Sequence, residues 1–307
     1  MSKFNNSNLI NSYHTHLLLE KSLSGNSIDA YMSDLDKLMS FLSDENKKPE
    51  EVLFNDLQQF VAQLYDAGIH ARSVARIISG IKSFYRFLVL DNNIQNDPTE
   101  LLESPRIGFK LPEVLSVEEI NNIISSIDLS LPEGRRNRAI LETLYSCGLR
   151  VSELISLRFS DMYLDEGFVR VLGKGNKQRL VPISPVAIKE IQLYLIDRHL
   201  IKIKKGYEDI LFLSKRGTAL SRIMIFHITK LQTEAAGIKK TVSPHTFRHS
   251  FATHLLEGGA NLRAIQQMLG HEKITTTEIY THLDRDFLRS EILAHHPRNK
   301  QKKTDNC

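Results

Sequence analysis

His245 and Arg248 stand three residues apart in the segment 243–254, SPHTFRHSFATH. Pro244 suits the first turn of a helix, and on a helix positions i and i+3 are neighbours on one face. An imidazole beside a guanidinium is a costly arrangement in a core. It makes sense where an anion sits between them, although for an HxxR taken alone a surface pair on a solvated face is the simpler reading. His245, His249 and His254 together could suggest a metal site. However, no HExxH occurs, and the two cysteines, Cys147 and the last residue Cys307, lie elsewhere in the sequence, so neither a zinc cluster nor a disulfide framework is expected.

Three more segments carry residues of the same kind. In 147–154, CGLRVSEL, a periodic helix ends at Gly148, a plausible left-handed cap, and Arg150 follows between Leu149 and Val151. An arginine in apolar company needs an anionic partner. Glu153 could be that partner and would suffice by itself. In 173–179, GKGNKQR, Lys174 sits at a glycine-rich tip with Lys177 and Arg179. Glycine allows close backbone approach to a ligand, and an ordinary exposed basic turn has the same composition. A P-loop is excluded because GxxxxGK[ST] is absent. In 269–280, LGHEKITTTEIY, Gly270 can end a helix and leave His271 in the loop beyond it. Tyr280 falls in a short apolar-periodic stretch with Ile279 and Leu283, where a core or surface tyrosine is equally possible.

The elements that must hold these residues are mostly helical. Residues 27–42 place Ile28, Tyr31, Met32, Leu35, Leu38, Met39 and Leu42 at helical spacing, with Ser27 as a candidate N-cap. Residues 72–88 place Val74, Ile77, Ile78, Ile81, Phe84, Tyr85 and Leu88 on one face. Arg72, Arg76, Ser79, Ser83 and Arg86 fall on the opposite face, with no acid among them. Such a stripe is read evenly as a solvated face or as a surface for a phosphate backbone. Three prolines and a glycine in 97–112 break the periodicity, and SVEE from Ser116 reads as a capping box that opens the next helix. Residues 167–183 read as a β-hairpin around 173–176, and 210–213 (ILFL) could add a third short strand.

The chain has 307 residues, 41% hydrophobic and 25% charged, with 40 basic against 36 acidic side chains. This length and apolar content exclude a wholly disordered chain and suggest two domains. Residues 1–110 carry 11 basic and 14 acidic residues, and the remainder 29 and 22, so a polyanion suits the second part better by charge alone. No apolar run is long enough for a membrane helix, and the N-terminus lacks the pattern of a signal peptide. A cytoplasmic protein is expected.

Taken together, GLR, GKGNK, HTFRH, LGH and Tyr280, in this order and spacing, resemble the tyrosine recombinase (phage integrase) family, and within it the Xer recombinases that resolve chromosome dimers. The resemblance implies a mainly α fold: a helical N-terminal core-binding domain over 1–103, a linker at 104–112, an α-rich catalytic domain with a small antiparallel β-sheet over 113–297, and a polar tail at 298–307. It implies cleavage and rejoining of DNA through a 3′-phosphotyrosyl intermediate, with Tyr280 as nucleophile. Arg150 and Arg248 would be the phosphate clamps, His245 the base, Lys174 the general acid and His271 a phosphate ligand, with Glu153 in support. The Arg72, Arg76 and Arg86 stripe would face DNA, and by looser resemblance so would Arg222 and Lys230 on a helix at 218–236. No metal or nucleotide cofactor is implied. The partners implied are double-stranded DNA, a homo- or hetero-tetramer on paired sites, and in some systems an activating septal DNA translocase. Residues 285–296 carry Phe287, Leu288, Ile292 and Leu293 on one face. They would dock on a neighbouring protomer by resemblance, or on their own domain by ordinary amphipathic packing. An integrase of a mobile element and a type IB topoisomerase-like enzyme are the alternatives.

Overall fold

The apolar spacing at 72–88 corresponds to a real helix, and all seven residues it singles out are buried. In a computed structural model of the chain, residues 2–106, 108, 113–173, 177–270 and 282–300 are described. The chain divides into two compact units, Met1–Lys110 and Leu111–Cys307.

The first unit is built from α1 (Ser2–Leu19), α2 (Gly25–Asp44), α3 (Phe54–Asp66) and α4 (Ala71–Leu90). Its core is aromatic-rich, with Tyr13 edge-on to Phe84 at 5.2 Å and Phe41 beside Phe60 at 5.4 Å. α2 starts two residues before the expected position, and Ser24, in extended backbone, takes the N-cap place instead of Ser27. On α4, Arg72 and Arg86 are exposed. Arg76 is different. Although its own helix face carries no acid, Asp34 of α2 reaches across and Arg76 Nη1 donates to its Oδ2 at 2.5 Å. Burial pushes the Asp34 carboxyl up, against the pull of Arg76 and Lys37. The irregular stretch after α4 is anchored where it begins, because Leu102 is buried in this core and the Thr99 N–H donates to Asp97.

The second unit is arranged around α6 (Gly134–Cys147), in which every residue from position 139 to 147 is buried. A helix buried on all sides belongs at the centre of a domain, and three polar side chains within that stretch are satisfied there. Thr143 donates to Ala139 O at 2.7 Å, Ser146 Oγ accepts from the Ser184 N–H at 2.7 Å, and Glu142 accepts from Arg298 Nε at 2.8 Å. Around it lie α5 (Val117–Ser125), α7 (Val151–Ile155), α8 (Pro185–Arg198), α9 (Arg222–Ala235), α10 (Pro244–Glu257), α11 (Leu262–Leu269), α12 (His282–His295) and α13 (Pro297–Lys300). α5 opens with the expected capping box: the Glu119 N–H donates to Ser116 Oγ at 3.1 Å, and the Ser116 N–H to Glu119 Oε2 at 2.7 Å.

One antiparallel sheet has the order β1-β2-β3, made of β1 (Met162–Tyr163), β2 (Phe168–Leu172) and β3 (Gln178–Pro182). β2 and β3 form the expected hairpin, pairing Phe168 with Pro182 through Leu172 with Gln178. The third strand is Met162–Tyr163 and not 210–213, which makes only isolated bridges. Side chains of α8 meet part of that segment's backbone, Arg136 Nη1 of α6 donates to Leu213 O at 3.1 Å, and the Leu211 N–H donates to Leu157 O at 2.9 Å. Tyr194 OH and Arg198 Nε both donate to Leu211 O at 3.2 Å, and the Leu213 N–H donates to Tyr194 OH at 3.1 Å.

The C-terminal elements pack on this same unit. On α12, Leu288 and Ile292 are buried, whereas Phe287 and Leu293 are exposed, so only half of the expected apolar face is used. The tail expected to begin at 298 does not begin there. Arg298 is buried in α13, ion-paired to Glu142 and placed over the Tyr145 ring at 5.1 Å. His296 is fully buried, its Nε2 meets Tyr145 O at 3.3 Å, and its Nδ1 accepts the Arg298 N–H at 3.2 Å. Both partners fit the neutral ring. No helix among the described residues is long and apolar enough to cross a membrane.

Burial lowers the His296 imidazole from the usual 6.5 to about 3. A folded pKa below the unfolded one gives stability that is present above 6.5 and lost as pH falls. At pH 5 the loss from a group lowered from 6.5 to about 3 is on the order of 2 kcal/mol. The melting temperature of the wild type should fall between pH 7.5 and 5, and His296→Gln should narrow that fall. An unchanged pH dependence in the variant would contradict this assignment.

Candidate active site

α6 ends at Gly148 in the left-handed region, φ 57°. A Cβ there would lie 2.4 Å from the Phe251 ring of α10, so glycine is required twice over, for the turn and for the close approach of α10. The turn delivers Arg150 to the N-cap position of α7, in extended backbone. Glu153, one turn further, accepts the Arg150 N–H at 2.8 Å through Oε2 and Arg150 Nη1 at 2.8 Å through Oε1. The pair expected from the sequence is therefore formed, and it is one part of a larger group.

Arg248 lies on the second turn of α10, whose start is set by Pro244 and by Ser243 Oγ accepting the Thr246 N–H. Its Nη1 donates to Gly148 O and its Nη2 to Leu269 O, each at 2.6 Å, and Nη1 stands 3.8 Å from Glu153 Oε2. Arg150 Nη2 donates to Gly270 O at 3.2 Å. A third arginine completes the group. Arg179 of β3 places Nη1 2.8 Å from Glu153 Oε1 and Nη2 2.9 Å from Oε2, while its Nε donates to Met268 O at 2.8 Å. Side-chain exposure grades from 35% at Arg150 and 11% at Arg248 to 6% at Arg179 and 3% at Glu153. The acid lies deepest, and Arg150 is the most open of the cations.

The electrostatics follow from these distances. Burial pushes the Glu153 carboxyl up, but the hydrogen bonds and charge of Arg179, then those of Arg150, outweigh it, and the net effect is downward. Burial first, then the Arg150 charge, lowers the Arg248 guanidinium to about 10, which leaves it protonated at neutral pH. Among the described residues three cations face one anion, and this excess of positive charge suits a site for a multiply oxygenated anion. Two arginines held by backbone carbonyls can bind such an anion without reorganising and can stabilise charge that builds up on it.

Of the residues expected at the site, Arg150, Glu153 and Arg248 are brought together. His245 is exposed in the otherwise buried first turn of α10, one turn before Arg248. Lys174, His271 and Tyr280 lie outside the described residues. Gly173 and Gly270 both lie against Arg179: a Cβ on Gly173 would come within 3.3 Å of its Nη1, and one on Gly270 within 3.2 Å of its guanidinium. Arg222 opens α9 and is exposed, as is Lys230, which stands 3.8 Å from Glu234. Phe226, one turn after Arg222, has its ring 6.4 Å from that of His245, so this face of α9 adjoins the start of α10. No group of three or more metal-ligating side chains is found among the described residues.

Composition places Arg179 in an exposed basic turn, whereas the structure buries it. The signal that could have placed it is the strand alternation. Arg179 and Val181 share the inward face of β3, and an inward arginine demands a buried acid.

The phage integrase family model matches residues 113–286, and the N-terminal SAM-like domain of phage integrases matches residues 10–92. This chain belongs to the phage integrase family. A tyrosine recombinase XerD from Chlorobaculum tepidum is 41% identical over 292 residues, covering 94% of this integrase-family chain and 96% of the relative. One from Staphylococcus aureus is 42% identical over 291 residues, covering 94% and 99%. Among solved structures, the XerH site-specific recombinase bound to its difH substrate in a pre-cleavage complex matches with a TM-score of 0.67 at 25% identity, covering 83% of this chain and 77% of that one. The Tn1549 transposon integrase, at 21% identity and a TM-score of 0.69, shares the fold.

Gly148→Ala should destabilise the protein by about 2–4 kcal/mol, the sum of left-handed strain and overpacking against Phe251. Denaturant unfolding checks this, and a loss under about 0.5 kcal/mol, the range of an ordinary surface substitution, would refute the close approach.

Proposed function

We propose that this chain, a tyrosine recombinase of the phage integrase family, cuts and rejoins double-stranded DNA at a specific site and resolves chromosome dimers. The observation that carries the reading is the fixing of Arg150 and Arg248 around Glu153, with Gly148, Leu269 and Gly270 carbonyls as further anchors. The two XerD relatives, matched over nearly their whole length, support the chromosomal role.

In the proposed mechanism, a scissile phosphate sits against Arg150 and Arg248, which neutralise its non-bridging oxygens and stabilise the charge added in the transition state. A tyrosine phenol in water has a pKa near ~10 and is a poor nucleophile at neutral pH without a proton acceptor; for Tyr280, His245 takes that role. The phenolic oxygen forms a bond to phosphorus as the bond to the 5′-oxygen breaks. Lys174 gives the leaving oxygen its proton, and His271 hydrogen-bonds the phosphate. Rejoining reverses these steps with a 5′-hydroxyl as nucleophile. The phosphotyrosyl bond conserves the energy of the phosphodiester, so no nucleotide hydrolysis is required. Two strand exchanges on paired sites call for four protomers, of one kind or two, with a septal DNA translocase as activator in the cytoplasm. Arg72, Arg76 and Arg86 on α4 and Arg222 and Lys230 on α9 contact DNA in this reading.

A nicked suicide duplex carrying a candidate site should trap an SDS-resistant protein–DNA adduct. Tyr280→Phe should abolish it, and an adduct that persists in this variant would refute the nucleophile. Arg150→Ala or Arg248→Ala should slow cleavage by on the order of 10²–10³-fold. Replacing Arg72 and Arg86 together with alanine should lower the salt slope of DNA affinity by about 1 for each phosphate that α4 no longer neutralises. An unchanged slope would assign that face to solvent.

A further inference from the structure

Arg179 is one of four charged groups that the described residues bring to the site, yet its geometry is unlike that of the other two arginines. Three of its N–H groups are committed, two to the Glu153 carboxylate and one to Met268 O, and the side chain is nearly fully buried. Arg150 and Arg248 are both more open. Arg179 therefore faces the protein and not a ligand.

Its partner is the node of the group. Glu153 accepts four hydrogen bonds, two from Arg179, one from the Arg150 guanidinium and one from the Arg150 N–H. These fill the acceptor capacity of a carboxylate. A carboxylate this deep does not stay ionised unaided, because desolvation favours its neutral form. With Arg179 in place, Glu153 offers Arg150 a charged and oriented acceptor. Without it, Glu153 would take up a proton and one of the anchors of Arg150 would weaken. The planar fork matters as much as the charge, since an ammonium cannot satisfy both carboxylate oxygens and the Met268 carbonyl in one plane.

The same guanidinium also sets a spacing. Gly173 and Gly270 both lie against it, with no room for a Cβ to spare on either side. The strand β3, the end of α11 and the start of α7 are thus tied to one side chain.

We propose that Arg179 is a positioning residue of this active site, whose buried guanidinium fixes the Glu153 carboxylate and through it the presentation of Arg150 and Arg248. The inference rests on the reading of those two arginines as phosphate ligands. Arg179 touches no substrate in this arrangement, and its effect reaches the reaction only through Glu153.

The test uses the full-length protein with Arg179→Lys, Arg179→Gln, Glu153→Gln and the double variant Arg179→Gln/Glu153→Gln. Adduct formation on the nicked duplex is timed at saturating DNA, DNA affinity is measured in parallel, and each protein is melted. Both Arg179 variants should slow cleavage by up to about 100-fold, the scale of a small misplacement, with DNA affinity within about twofold of wild type. The rate of Arg179→Gln, taken as a ratio to the wild-type rate, should also fall as pH is lowered towards 5; a base that serves both proteins cancels in that ratio, which leaves only a change absent from the wild type. There Glu153 faces only Arg150, Arg248 and Arg179 among the described charges and stays ionised; in the variant its carboxyl rises and protonates. The double variant should be no slower than the slower single one. Wild-type speed in Arg179→Lys, single losses that multiply in the double variant, or a rate loss matched by an equal loss of DNA affinity would each overturn the proposal. If the wild type itself yields no adduct, the recombinase reading fails. The link from Arg179 to Glu153 is then still decided by melting: non-additive shifts across the four proteins uphold it, and additive shifts overturn it.

Discussion

The Glu153 carboxylate, buried among three guanidiniums, is the interaction on which the second unit's chemistry depends. Arginines at such short range repel one another, and the effect is visible in Arg248, lowered by burial and then by Arg150. One anion at the centre turns that repulsion into order. Among the described residues it also leaves positive charge in excess, which is what a phosphodiester passing through a more highly charged transition state requires. The backbone carbonyls of Gly148, Met268, Leu269 and Gly270 supply the remaining acceptors, so the cations are held by groups that cannot titrate.

The scaffold is built to keep those carbonyls in place. α6 runs through the middle of the unit and stops at a left-handed glycine pressed against Phe251. α10, which carries Arg248, is bound to α6 further along by the Tyr145 hydroxyl and His254 Nδ1 at 2.9 Å. α11 ends on a second left-handed glycine, Gly270, beside Arg179. Two helix ends and one strand therefore converge on the same few ångströms. Each is fixed by packing elsewhere, which is how a charged site avoids paying for its own organisation.

Much of this is legible in the sequence, and for identifiable reasons. The stripe Val74 to Leu88 repeats at the helical period and is buried as that period requires. The capping box at Ser116, the hairpin around 173–176 and the pairing of Arg150 with Glu153 rest on local spacing, and local spacing is what a sequence displays. What it hides depends on partners distant in the chain. Asp34 meets Arg76 across 42 positions and Arg179 meets Glu153 across 26. The segment 210–213 has the composition of a strand, yet side chains of α6 and α8 take up carbonyls that a ladder would have used. Arg298 has the setting of a polar tail because its partner Glu142 lies 156 residues earlier.

That last pair bears on how the protein comes into being. Glu142 sits in the middle of the central helix, and burial pushes its carboxyl up even with Arg298 beside it. During synthesis α6 emerges long before its counter-ion exists. Until Arg298 has been made, Glu142 lacks its hydrogen-bonded cation, and of the two arginines that lower its carboxyl only Arg138 is present. The central helix therefore receives the hydrogen-bonded cation of its buried acid from nearly the last residues of the unit to be translated.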